Sequence, residues 1–279
     1  PAFAAYWRPT PAALPDRIAH EAVAVVGPPT ENRIHEDDTA RRFGFGGGLV
    51  PGVSVYSYMA HPVVERFGLD FLRRGVMEIR LLNPFYDGDL VYVTLTDKGG
   101  GRVDLTAANR AEETCATGWA TLPETAATPP TAGRFIDLEL PAERPIVSFS
   151  ALEATPQLGA LHERFDPALN GAEYQAEVPE TLPLYRGPDQ VAPTGFLIRR
   201  ANAILVENFV LPAWVHVSSL VTHFSPLLGG EEFSTRGRIT DLFERRGHEF
   251  VRLDVFISAG DGRPVMLVDH TAIFRLRNA

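Results

Sequence analysis

His35 lies in the run Thr30-Glu31-Asn32-Arg33-Ile34-His35-Glu36-Asp37-Asp38. Gly52 follows soon after, at the end of Gly44-Phe45-Gly46-Gly47-Gly48-Leu49-Val50-Pro51. An imidazole exchanges protons near neutrality, so His35 is the candidate general base. Gly52 opens an apolar helical pattern. A helix N-terminus offers free N–H groups and the positive end of a dipole, and glycine lets a ligand approach the backbone closely. Together they describe proton abstraction beside a donor for a developing oxyanion. Glu31, Asp37 and Asp38 are the candidate acids, with a water held by Thr30 and Asn32 as the alternative. Candidate substrate contacts are Thr30, Asn32, Gly48, Val50 and Tyr56.

Each feature also has a structural reading. His35 beside three acids could hold a loop. Glu36-Asp37-Asp38 reads as a solvated helix start, with Asp37 or Asp38 as N-cap. The glycines at 46–48 lack the Lys-Ser/Thr ending of a phosphate loop, so they read as tight packing before the helix. Tyr56 equally suits the core. Arg41-Arg42 and Arg73-Arg74 either meet phosphates of a carrier or are solvated surface. His216 and His223, seven apart on a predicted strand, are expected on opposite faces, which argues against a shared metal. His61, His248 and His270 have no ligand-like spacing, so no metal site is expected.

The elements that must position these residues occur twice. Gly52 after Val50-Pro51 and Gly195 after Pro193-Thr194 each open a helix, 143 residues apart. Asn83-Pro84-Phe85-Tyr86-Asp87-Gly88-Asp89 is echoed by Ser225-Pro226-Leu227-Leu228-Gly229-Gly230-Glu231, with Pro84 and Pro226 separated by 142. Such repetition predicts a tandem duplication, split into residues 1–128 and 134–279 by the Thr/Ala/Pro-rich run Thr125 to Gly133. In the first unit Val53, Tyr56, Ala60, Val63, Val64 and Phe67 predict a helix buried along one face and ended by Gly68, with Pro62 kinking it or splitting off a second helix. Leu197, Ala201, Ile204, Leu205 and Asn208 predict the second helix. After each helix the period becomes two, as in Val91–Leu95 and Val251–Ile257. Gly99-Gly100-Gly101 and Gly260-Asp261-Gly262 predict hairpins. The fold class is α+β: in each unit an antiparallel meander wraps one long helix, and the two sheets pair edge to edge.

Composition sets the outer bounds. The 279 residues are 45% apolar and 22% charged, with a net charge of −9. That is a globular composition, and its acidity argues against a nucleic-acid partner. Lys98 is the single lysine, so arginine supplies the rest of the basic charge. Cys115 stands alone, which excludes an internal disulfide and fits a reducing cytoplasm. No basic segment followed by an apolar run opens the sequence, so no leader is expected. Phe43–Val64 and Asn208–Gly230 are uncharged but interrupted by Gly or Pro, as buried segments are, so no membrane span is expected.

Asn32, Ile34, His35, Asp37, Ala40, Phe45 and Gly52, with the later Pro84-Phe85-Tyr86-Asp87-Gly88-Asp89 turn, resemble the signature of the MaoC-like, R-specific enoyl-CoA hydratase group of hot-dog proteins. The resemblance covers both halves and implies a double hot-dog. It also implies a hydratase or dehydratase acting on a 2-enoyl or 3-hydroxyacyl thioester of CoA or acyl carrier protein. No cofactor is implied, and a homodimer is. His35 would be the base and the Gly52 amide the thioester clamp. Three positions depart from the pattern: Thr30 occupies the place of the catalytic Asp, Arg33 that of a Pro, and Pro51 that of the His before the helix glycine. The second half has no histidine around Asn170-Gly171-Ala172-Glu173-Tyr174, so at most one site per chain is expected. Thr30 keeps two other readings open. One is an acyl-thioester hydrolase in which Asp37 or Asp38 drives water onto the carbonyl; the other is an acyl-binding protein without activity.

Overall fold

Every side chain from Val53 to Val64 is buried, so the helix that carries them is enclosed on all sides rather than along one stripe. The computed structural model describes residues 17–27, 30–187 and 190–277. In it this helix, α2 (Gly52–Phe67), follows the short α1 (Asp37–Arg42) and precedes α3 (Leu69–Arg74). The sheet covers one side of α2. The other side packs on α6 (Thr194–Asn208), which is why no solvent face is left. The helix continues through Pro62, and the break falls at Gly68, whose φ of 62° suits a residue without Cβ.

Among the described residues, five strands belong to the first half: β1 (Arg17–Val23), β2 (Val76–Leu81), β3 (Leu90–Gly99), β4 (Arg102–Ala108) and β5 (Thr114–Thr121). Five belong to the second: β6 (Leu161–Arg164), β7 (Val215–His223), β8 (Glu232–Arg245), β9 (His248–Ala259) and β10 (Pro264–Arg275). Between β5 and α6 lie α4 (Phe149–Glu153) and α5 (Asn170–Glu177). All ten strands form one antiparallel sheet in the order β1-β3-β4-β5-β2-β7-β10-β9-β8-β6. The halves meet where β2 pairs with β7, Met77 opposite Val221 and Ile79 opposite Ser219. Both glycine clusters form the turns expected of them, joining β3 to β4 and β9 to β10.

The internal equivalence runs at 142 rather than 143. Leu49 bridges Tyr86, and Val191 bridges Leu228. The Asp89 carboxylate accepts the Tyr86 amide just as the Glu231 carboxylate accepts that of Leu228. Pro51 and Pro193 precede the two helices, so the counterpart of Gly52 is Thr194, one residue before Gly195. Strand β9 also departs from simple alternation, being buried on both faces from Leu253 to Ala259. The connecting segment covers its outer face: Phe135 stacks on Phe256 at 5.3 Å and Arg134 pairs with Asp254.

Candidate active site

The loop from Thr30 to Pro51 is shaped by its own hydrogen bonds. Asn32 caps a 3-10 turn, Arg33–His35, by accepting the Ile34 amide at 3.3 Å. Its Oδ1 also accepts the Trp214 amide at 3.1 Å, while Nδ2 donates to the Trp214 carbonyl at 3.0 Å. Those backbone partners fix which side of the carboxamide is nitrogen. The remaining Nδ2 hydrogen points to His35 Nε2 at 3.2 Å, so Nε2 is the lone-pair nitrogen. On the other side of the ring, Nδ1–H donates to the Leu49 carbonyl at 2.6 Å. The loop therefore selects one neutral tautomer. Burial lowers the His35 pKa, partly opposed by the Leu49 carbonyl, and keeps that neutral form at neutral pH.

Gly48 approaches the His35 carbonyl so closely that any Cβ there would collide with it. Asp37 holds this approach by accepting the Gly48 amide at 2.9 Å, and Arg41 pairs with the same carboxylate at 2.8 Å. Both contacts hold the Asp37 carboxyl below the usual carboxylate range, the Gly48 amide more than Arg41.

Gly52 is the first residue of α2, and no side chain caps that end. A Cβ on Gly52 would strike Leu81 and stand 2.6 Å from His216 Nδ1. Gly52, His35, Asn32 and Val50 line one cavity of about 250 Å³. Its walls are mostly apolar, and Trp214 and His216 reach it from the second half. Among the described residues that line it the ionisable groups are His35, His216 and His248; none is a carboxylate.

The other candidates lie outside that lining. Glu31 makes two hydrogen bonds to Arg144, at 2.9 and 3.0 Å, on the surface. Thr30 is exposed, and the side chain of Asp38 is 92% exposed. Tyr56 is fully buried with its hydroxyl 3.0 Å from Thr194 Oγ1, which meets His223 Nε2 at 2.7 Å. The second-half counterpart of the Gly52 position is therefore filled by side chains. A ligand there would have to displace the Thr194 hydroxyl and the phenol that bonds it.

His216 and His223 do not face opposite ways. Ala272 pairs with His216 and Thr271 with Ser218, leaving Val217 as an extra residue in β7. This bulge resets the alternation, so His216, Ser219, Val221 and His223 are all buried. The odd spacing in sequence hid His216 from the site, and a bulge leaves no local signal of its own. Among the described residues no group of three or more His, Cys, Asp or Glu side chains is arranged to hold a metal, and no helix is long and apolar enough to cross a membrane.

No protein-family model matches the chain, and no curated protein matches it in sequence. Solved structures do. One, described as a MaoC domain protein dehydratase from Chloroflexus aurantiacus J-10-fl, superposes with a TM-score of 0.63 at 12% identity, over 94% of this chain and 95% of that one. A Mycobacterium tuberculosis protein described as having a double hotdog fold gives 0.58 at 14% identity, over 93% and 96%. A Lactobacillus plantarum protein described as an oleoyl thioesterase gives 0.52 at 8% identity, over 94% and 96%.

Proposed function

The chain carries the double hot-dog fold, and from that premise we propose that it adds water to a 2-enoyl thioester, or removes water from the corresponding 3-hydroxyacyl thioester, in the cavity beside His35. The observation that carries this reading is the presence of a lone-pair imidazole nitrogen and an uncapped helix amide in one apolar cavity. The volume, about 250 Å³, is below that of clefts that enclose drug-sized ligands, which suits an acyl group whose CoA or carrier protein stays outside.

In the hydration direction the Gly52 N–H binds the thioester oxygen. His35 Nε2, whose bond to Asn32 is the longer of its two, exchanges that partner for a water and takes its proton. The water oxygen bonds to the β-carbon, and the double-bond electrons move through the α-carbon onto the thioester oxygen as an enolate. The α-carbon then takes the proton back from the His35 imidazolium. One histidine thus serves as base and acid, which suits a cavity with no carboxylate among the described residues that line it and a Thr at position 30. Hydrolysis driven by Asp37 or Asp38 is disfavoured because neither carboxylate lines the cavity.

Purified protein with crotonyl-CoA tests the reading. Loss of enoyl absorbance without thiol release is the expected result, and His35→Ala should lower that rate by about 10²–10⁴. Thiol release instead would assign the hydrolase chemistry. Binding with neither signal would leave an acyl-binding protein.

A further inference from the structure

Three residues of the cavity wall, Trp214, Asn202 and His216, each carry a buried polar atom without a hydrogen-bond partner: Nε1, Oδ1 and Nδ1 respectively. Of these, His216 Nδ1 is the one placed against Gly52. His216 is 4% exposed and comes from the opposite half. Its other nitrogen, Nε2, is 2.8 Å from Ser219 Oγ, and Ser219 Oγ is 2.9 Å from His270 Nδ1. The two imidazoles stack at 4.3 Å, and His270 is fully buried with Nε2 unpartnered.

We infer that His216 is a second oxyanion donor, its Nδ1–H sharing the thioester oxygen with the Gly52 amide, and that Ser219 and His270 are positioning residues that set its tautomer. This rests on the thioester reading of the cavity.

Ser219 has one hydroxyl proton and two imidazole neighbours, so it donates to one and accepts from the other. If it donates to His216 Nε2 and accepts from His270 Nδ1–H, the His216 proton must sit on Nδ1, on the side of the ring next to Gly52. In the reverse arrangement Nδ1 is a bare lone pair and would repel a carbonyl oxygen. A bound thioester has an acceptor to offer, so it selects the first arrangement. Both rings stay neutral throughout: burial pushes His216 down to about 4, and burial followed by the neighbouring His216 takes His270 well below the usual value. A neutral imidazole can polarise a carbonyl without placing a second charge beside its stacked neighbour.

The test uses butyryl-CoA labelled with ¹³C at the thioester carbonyl, bound to the full chain, with the carbonyl stretch read by isotope-edited infrared spectroscopy. Wild type should shift the stretch down from its value in water. His216→Phe should reverse part of that shift and cut the crotonyl-CoA kcat by about 10²–10³. His216→Asn, whose amide nitrogen can stand where Nδ1 stood, should restore much of both, and it serves as the folded comparison if the Phe variant melts early. ¹⁵N spectra of the ring should show Nδ1 protonated in the complex, and Ser219→Ala should abolish that preference. If wild type hydrates crotonyl-CoA while His216→Phe keeps both carbonyl shift and kcat, the donor role is overturned and the hydratase reading stands. If wild type binds and shifts the carbonyl through His216 without hydrating, the hydratase reading falls and the donor stands. Failure of wild type to bind butyryl-CoA overturns both.

Discussion

The carboxamide of Asn32 closes a two-way hydrogen-bond pair with the backbone of Trp214, 182 residues away, and presents its last hydrogen to His35. One side chain thereby ties the halves together and sets which nitrogen of the base carries its proton. Asn32→Asp keeps the acceptor and loses the donors. We expect it to destabilise the fold by about 1–3 kcal/mol, since the buried Trp214 carbonyl loses its partner. The new carboxylate should also raise the His35 pKa. Urea unfolding and an NMR titration of the His35 ring check the two effects separately.

His35 must be neutral to act, and burial holds its pKa below the ordinary 6.5. The kcat/KM for hydration should therefore rise with pH through an apparent pKa below 6.5 and level off by neutrality. A profile whose acid limb lies above 6.5 would place the base elsewhere.

Stability should follow the same sign. His20, His216 and His223 are each lowered to about 4, by burial above all. The unfolded chain therefore binds more protons than the native one between pH 6.5 and about 4. Stability rises with pH across that window: it is fully present above 6.5 and is lost as pH falls towards 4. Thermal melts across the window should show a steady fall in Tm on acidification. A flat profile would mean that these rings are reached by water.

Gly52→Ala puts a methyl group onto Leu81 and close to His216 Nδ1. Overpacking of this kind costs about 1–3 kcal/mol. The larger effect should be on turnover, because the methyl group occupies the approach to the helix amide. A loss of about 10² or more in kcat/KM, in a protein that still melts cooperatively, is the expected result.

Glu31 and Asp37 are committed to Arg144, and to Arg41 and the Gly48 amide, outside the cavity lining. Neither Glu31→Gln nor Asp37→Asn should show the 10²–10⁴ loss that follows removal of a positioned acid or base. Steady-state hydration of crotonyl-CoA checks this, and a collapse in either variant would return the acid to a carboxylate.

Much of this protein was legible in one dimension. The helix starts at Gly52 and near Gly195, the glycine hairpins and the repeated turn at Pro84 and Pro226 are local events, written in apolar period and turn chemistry over a few residues. His35 with Gly52 was legible because one short loop joins them. What tertiary structure decided depends on residues far apart in the chain. The odd spacing of His216 and His223 implies opposite faces, and an extra residue at Val217, where β7 pairs with β10, turns both inward. Thr194, Tyr56 and His223 fill the second-half position because three segments converge there. The carboxylates around His35 are acid candidates by type, yet arginines and a backbone amide take them up once the loop folds. Local pattern specifies which element forms. Which side chains share a cavity is set by the pairing of β2 with β7, and nothing in linear spacing records that pairing.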